Sequence, residues 1–443
     1  MEEGNTLNII RQCYSKILPI KDLRTKVLPL AFIVTLVFCF LGDTKTTSLE
    51  AKRRWMISQL NQTLSKSSFW ERLSRNRLKK LLQSLLAELM TKMTNSIIFG
   101  KDILSGLGVS KILLLDSSSI SLWNGASKIF PGTRTTAGIK WHCCFDILSG
   151  AMCWFEMTPT ATHDRKCFPP MKLLKGALII FDLGYWDYGL LLAIEEVKGF
   201  FLSRIKNNST IKIFKVISGI SKKHSGKKLS SLNFKKRNGL IVELVGKILI
   251  NKMDHHYRAI GFWNPNDKSY HWYITNLKVT AIVVYPLYRV RWAIELIFKS
   301  CKQSLNANEI PSTCKNIIES LLLASLVAQL TSYSILSISA KHIEEEKMLA
   351  MSFQRAAKIT VALASDFIKF LIKKNAKNFN YLLKRIEMFA NEIFDPNFRH
   401  RPTSLQNLEK ILNQNRMTKK QSKILKFKQP SKAVANYETR KSA

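Results

Sequence analysis

Acidic residues are scarce in this chain. Of its 443 residues only 31 are Asp or Glu, against 69 Lys or Arg, which leaves a formal net charge of +38. An excess of that size, spread from end to end, is the electrostatic footprint of a protein that meets a polyanion, nucleic acid first and an anionic membrane surface second. Metal-ligand spacing is missing as well: the eight cysteines are scattered, with Cys143 and Cys144 adjacent, and no C-x2-C pair or Cys/His group has zinc spacing. A disulfide framework and a structural zinc are thereby disfavoured, and the thiols read as reduced. The apolar run Val27 to Leu41 is only 15 residues long and contains Pro29 and Thr35, short of the roughly 20 that a membrane span needs. It reads as a buried helix, and its late start without a small-residue cleavage pattern disfavours a signal peptide. Ile317 to Ser339 is longer but interrupted by Glu319, Gln329 and serines, so it reads as a core helix. No internal repeat is evident.

What is present is enough apolar material for more than one core, at 46% hydrophobic residues. Helical spacing runs through Ser48 to Ser58, with Arg53 and Arg54, and through Ser68 to Lys92, with Leu73, Arg77, Leu81, Leu85 and Leu89 in register. From Lys111 the period changes. Lys111 to Ser118, Lys140 to Leu148, Ala151 to Met157 and Ala177 to Asp182 are short apolar or alternating runs, and Gly150 marks a hairpin turn. A helix from Asp187 to Val197 and a strand from Gly199 to Arg204 follow. Between about 205 and 270 the composition shifts toward Lys, Ser, Asn and Gly around the basic run Ser221 to Arg237. The expected class is mixed α/β. Its expected parts are a helical DNA-contacting region at 1–105, a first core part at 106–204, a β-rich insertion at 205–270, a second core part at 271–340, and a helical region with a basic tail at 341–443.

The most chemical stretch is Tyr288 to Lys302. Within an apolar run of helix length it sets Tyr288, Arg291, Glu295 and Lys302 at offsets of three, four and seven, which on one helix share a face. A carboxylate flanked by two cations and a phenol suits a phosphodiester held against a metal ion. The plainer reading is a basic helix face with an i, i+4 ion pair between Arg291 and Glu295. Two more carboxylates shift the balance. Asp116 ends the apolar run LLLD and is followed by Ser117, Ser118 and Ser119, while Asp182 ends LIIFD and is followed by Gly184 and Tyr185. A strand-end carboxylate often only forms a turn. Three carboxylates from two strands and a helix can instead hold two divalent cations for phosphodiester transfer, and hard oxygen ligands favour magnesium or manganese.

These residues resemble a known family, the DDE transposases of the insertion-sequence type with a ribonuclease H-like core. The group is defined by a Tyr-x2-Arg-x3-Glu-x6-Lys signature, matched by Tyr288, Arg291, Glu295 and Lys302, and the stretches at Asp116 and Asp182 resemble its two other acidic motifs. Weaker likeness extends to Thr162-His163-Asp164, Thr275-Asn276-Leu277 and Asp395-Pro396-Asn397. The resemblance implies that Asp116, Asp182 and Glu295 ligate two Mg2+ or Mn2+ ions and that Tyr288, Arg291 and Lys302 contact the phosphates of the transposon end. It further implies a β-rich insertion before Glu295, cleavage and strand transfer on double-stranded DNA by a homodimer in a synaptic complex, and a cytoplasmic, nucleoid-associated location without a membrane. Leu183 departs from the basic residue often found after the second Asp, and Trp263 and Trp272 are the candidates for a residue that holds a flipped base. His163 and Asp164 read as structural or accessory. The competing readings are a structure-specific metal-dependent nuclease and an inert DNA-binding remnant.

Overall fold

A computed structural model describes residues 3–16, 28–39, 48–93, 100–206, 208–231, 241–304, 310, 312–340, 343–373, 375–394 and 402–421. Asp395-Pro396-Asn397, the end of the basic run at 232–237 and the tail beyond 421 lie outside these residues. Along the chain come α1 (Glu3–Ser15), α2 (Pro29–Cys39), α3 (Leu49–Leu60), α4 (Lys66–Ser74), α5 (Asn76–Met93) and α6 (Lys101–Leu107). Strands β1 (Ile112–Ser121), β2 (Gly138–Asp146), β3 (Ala151–Pro159) and β4 (Leu178–Phe181) follow, then α7 (Tyr188–Glu196) and β5 (Phe200–Arg204). Next are β6 (Lys212–Ser218), β7 (Ile241–Ile250), β8 (Met253–Asn264) and β9 (Ser269–Thr275). The chain then runs through α8 (Ala281–Arg289), α9 (Trp292–Ser304), α10 (Lys315–Ala340), α11 (Glu345–Met348), α12 (Phe353–Ala362), α13 (Ala364–Ile372), α14 (Ala376–Met388) and α15 (Ser404–Gln421). The class is mixed α/β, as expected.

Contacts divide the chain into two compact units, each gathered from separated stretches. The first comprises Met1–Phe99, Ile112–Leu173 and Arg291–Thr403, the second Gly100–Lys111, Leu174–Val290 and Ser404–Ala443.

In the first unit β1, β2 and β3 form an antiparallel meander. Gly150 closes the β2–β3 hairpin with φ of +67°, a left-handed conformation that glycine adopts without steric cost. Around the meander lie α1 to α5 and α9 to α14, with α10 at the centre. All residues of α10 from Ser320 to Ala340 are buried, although by length and composition this helix could cross a membrane. Several of its buried hydroxyls bond back within the helix, Ser325 donating to Leu322 O at 2.8 Å and Thr331 to Val327 O at 2.8 Å. Others reach neighbours: Tyr14 Oη meets Thr331 Oγ1 at 3.1 Å and Thr6 Oγ1 meets Ser337 Oγ at 3.0 Å. Helix α2 is buried from Leu30 to Cys39, and Thr35 bonds back to Ala31 O at 2.6 Å. The single helix expected over Ser68 to Lys92 is two, α4 and α5, broken where Arg75 turns extended.

The second unit pairs β4 and β5 in parallel through α7, the crossover that a parallel pair requires. The Asp187 side chain caps α7 by accepting from Leu190 N at 3.1 Å. Strands β5, β9, β8, β7 and β6 then run antiparallel in that order. Trp272 lies across Gly261, where a Cβ would come within 2.9 Å of the indole.

Candidate active site

Asp116 does not end its strand. β1 continues to Ser121, and Asp116 pairs with Cys143 in the middle of the ladder. The apolar half of β1 is buried and its serines are half-buried or exposed while Ile120 returns to the core, so the change from Leu to Ser marks where the strand first reaches solvent. Alternation then divides its side chains. Asp116 lies on the face of Cys143 and Trp141, while Ser117 lies on the face of His142.

On the Asp116 face sits α9. Its seat is apolar: Phe298 stacks on the fully buried Trp141 at 5.9 Å between ring centroids and 20° between planes. A polar clasp adds to it, since Ser300 Oγ and Cys301 Sγ both donate to Gln329 Oε1 of α10, at 3.3 and 3.4 Å. Lys302 Nζ donates to Ser119 O of β1 at 2.7 Å, and its partial burial lowers the ammonium pKa below the usual lysine value. Thus held, α9 brings its first turn to Asp116. Arg291 donates through Nη1 to Asp116 Oδ2 at 2.6 Å and through Nη2 to Glu295 Oε1 at 2.7 Å. The Arg291 side chain is 12% exposed, that of Asp116 17% and that of Glu295 36%. Two carboxylates distant in sequence therefore face one cationic point. Trp292 and Leu296 are exposed on the solvent side of the same turns, a pair of large apolar residues whose place in an apolar run of helical spacing gives no sign of their exposure.

The other face of β1 carries a separate network. Asp164 Oδ1 accepts from Lys140 Nζ at 2.7 Å and from Ser117 Oγ at 3.2 Å. His142 is fully buried against Thr158 Oγ1 at 3.0 Å, and desolvation pushes its pKa down to about 4 despite the Asp164 charge. His163 Nδ1 accepts from Arg165 N at 3.3 Å and so caps a 3-10 turn. His163 and Asp164 are thus engaged in local structure.

In the second unit Asp182 follows β4 directly, at the head of the 3-10 turn Leu183–Tyr185. Tyr288 Oη donates to Asp182 Oδ1 at 3.4 Å, a long contact, while its ring packs on Tyr273 at 4.9 Å between centroids. The Tyr288 side chain is buried, at 8% exposure. Tyr288 and Arg291 do not share one helix: the ladder tightens at Val290, whose N–H reaches Leu287 O, and restarts with Ile294 N to Arg291 O at 3.1 Å. Neither Gly nor Pro stands at 289–291 to announce the break. Of the sequence-derived residues, Asp116, Arg291, Glu295 and Lys302 thus belong to the first unit and Asp182 and Tyr288 to the second. Trp263 and Trp272 both pack against Tyr270.

Among the described residues no group of three or more His, Cys, Asp or Glu side chains stands close enough together to hold a metal ion. The donor set itself suits a hard cation: Asp116 and Glu295 are oxygen donors already turned toward one positive group.

Residues 108–330, just over half of the chain, match the family model of the transposase DDE domain. The chain belongs to that transposase family. The matched stretch contains Asp116, Asp182, Tyr288, Arg291, Glu295 and Lys302. Among transposases, it is 26% identical to the putative transposase y4zB of Sinorhizobium fredii over 234 residues, 53% of this chain and 62% of that protein. It is 23% identical to the transposase for insertion sequence element IS1151 of Clostridium perfringens over 324 residues, 61% of this chain and 68% of that protein. The chain thus spans less than two thirds of the first of these relatives. A cryo-EM structure of a piggyBac transposase synaptic complex with hairpin DNA aligns over 86% of this chain and 82% of that one, at 11% identity and a TM-score of 0.37, a likeness too slight to bear on the fold. The expectation of an insertion-sequence type of transposase is borne out at the level of family.

Proposed function

We propose that this chain is a DNA transposase that cuts at the ends of an insertion element and joins them to target DNA. The observation that carries this reading is the convergence of Asp116 and Glu295 on one cationic point, within a family defined by its transposase DDE domain. Asp116, Asp182 and Glu295 would hold two Mg2+ or Mn2+ ions. The chemistry such ions supply is activation of the attacking water or 3′ hydroxyl and stabilisation of the leaving oxygen.

The rest falls to the chain's own groups. Arg291 and Lys302 offer charge-assisted hydrogen bonds to backbone phosphate oxygens, whereas Tyr288, expected beside them as a phosphate contact, is buried and would instead orient Asp182 through its hydroxyl. The scaffold is read as ribonuclease H-like, with a β-rich insertion at 205–270 between core parts at 106–204 and 271–340. Helical regions at 1–105 and 341–443 frame it, and the Tyr288, Arg291, Glu295 and Lys302 series is its signature. The net charge of +38 supports DNA as the partner, with an affinity that falls steeply with salt. Two ends joined in one complex call for a homodimer.

The test is a strand-transfer assay with purified protein, Mg2+ or Mn2+, and a labelled duplex carrying the DNA that flanks this coding region. Nicking at the end followed by joining, lost in Asp116→Ala, supports transposition. Nicking without joining indicates a nuclease, and binding without nicking an inert DNA-binding protein.

A further inference from the structure

We infer that Arg291 makes metal binding at Asp116 and Glu295 conditional on DNA, by bridging both carboxylates until a phosphate draws its guanidinium away. The inference rests on the metal-ligand reading of those two residues and goes beyond it to how the site is regulated.

The bridge is a specific geometry. One guanidinium spends two different nitrogens on two carboxylates, Nη1 on Asp116 Oδ2 at 2.6 Å and Nη2 on Glu295 Oε1 at 2.7 Å. It does so while largely shielded from water, at 12% exposure, where screening by salt is weak. An ordinary i, i+4 pair would need only Glu295. The reach to Asp116, 175 positions away, ties α9 to β1 through one oxygen of each carboxylate that would hold a divalent ion. Two cations cannot share those oxygens at hydrogen-bond distance without strong repulsion, so metal and guanidinium compete.

The competitor that resolves this is the substrate. A phosphodiester offers the guanidinium two non-bridging oxygens, a two-pronged acceptor as a carboxylate is, so a DNA backbone at the site can take Arg291 over. Both carboxylates are then left without the charge they shared, and their affinity for a divalent ion rises. Because coupling between two ligands is reciprocal, DNA tightens metal and metal tightens DNA by one common factor. The consequence for the reaction is selectivity: hydrolytic chemistry is confined to protein that already holds DNA.

The probe is Mn2+ alone, its free concentration read by electron paramagnetic resonance during titration of the full-length, DNA-free protein. Arg291→Gln is expected to bind Mn2+ at least about tenfold more tightly than the unaltered chain. Arg291→Lys, which keeps the charge but not the two-pronged reach, is expected to fall between them, and thermal melting checks that each variant is folded. Adding Asp116→Asn to Arg291→Gln should abolish the gain. If Arg291→Gln binds Mn2+ no more tightly than the unaltered chain while Asp116→Asn still weakens binding, the inference is overturned and the metal-ligand reading stands. If Asp116→Asn changes Mn2+ binding in neither background, the reading itself falls and the inference with it.

Discussion

Asp116 and Asp182 are the same residue type in two different electrostatic settings. Asp116 is a mid-strand carboxylate locked to a mostly buried arginine that also holds Glu295. Asp182 sits at a strand end, where its contact with Tyr288 is a neutral hydroxyl at 3.4 Å. The first is restrained by a short charged bond and the second by a long uncharged one. The difference teaches that the acidic residues singled out together from the sequence are not equivalent parts. One is held by a cation that also holds Glu295, and the other meets the hydroxyl of a buried tyrosine.

The largest expected effect breaks the setting of Asp116 from below. Phe298→Ala removes the ring that seats α9 on Trp141, and should lower stability by about 3 to 5 kcal/mol in denaturant unfolding. A loss below about 1 kcal/mol would mean that α9 is held by other contacts.

Acid should weaken the same unit from the other face of β1. His142 has a folded pKa of about 4, below the ordinary 6.5, so between these values the unfolded chain binds the proton that the folded one refuses. Stability is then full above about pH 6.5 and falls as pH drops toward 4, by at most about 3 kcal/mol. His142→Asn should flatten this part of the profile, and an unchanged slope would remove His142 as its source.

Asp116→Ala and Asp182→Ala compare the two settings directly. The first strips a charged partner from a mostly buried arginine and should cost about 2 kcal/mol. The second should cost less than about 1 kcal/mol. Equal losses would erase the distinction.

The smallest effect belongs to Tyr288→Phe. It removes one long hydrogen bond, so stability should change by less than about 1 kcal/mol and cleavage by only a few fold. A loss as large as that of Asp182→Ala in cleavage would show the hydroxyl to be essential.

Much of this was legible in the sequence because it rests on local rules. The strands at Ile112–Ser121, Gly138–Asp146 and Ala151–Pro159 follow from short apolar runs and a turn glycine, and the helix at Tyr188–Glu196 lies within the segment expected from Asp187 to Val197. The acidic residues themselves were visible as carboxylates beside apolar runs. What was not legible depends on tertiary contact. Ser117 to Ser119 look like the end of a strand, but pairing with Lys140, Trp141 and His142 carries the ladder through them. The run Tyr288 to Lys302 keeps helical spacing throughout, yet the helix breaks at Val290, with no residue there that signals a stop. Spacing also offered Arg291 only Glu295 as a partner. Its second bond, to Asp116, exists because α9 packs on β1, which no local pattern encodes.

The central claim is that these carboxylates carry metal-dependent DNA chemistry, and Glu295→Gln tests it most directly. The variant keeps the size and shape of the side chain and removes only the charge. End binding and end cleavage are measured on the same labelled duplex, in Mg2+ and in Mn2+. The account predicts binding within about threefold of the unaltered protein, with cleavage reduced by at least about a thousandfold, as expected when an electrostatic centre of the reaction is lost. Cleavage at near the unaltered rate would contradict it.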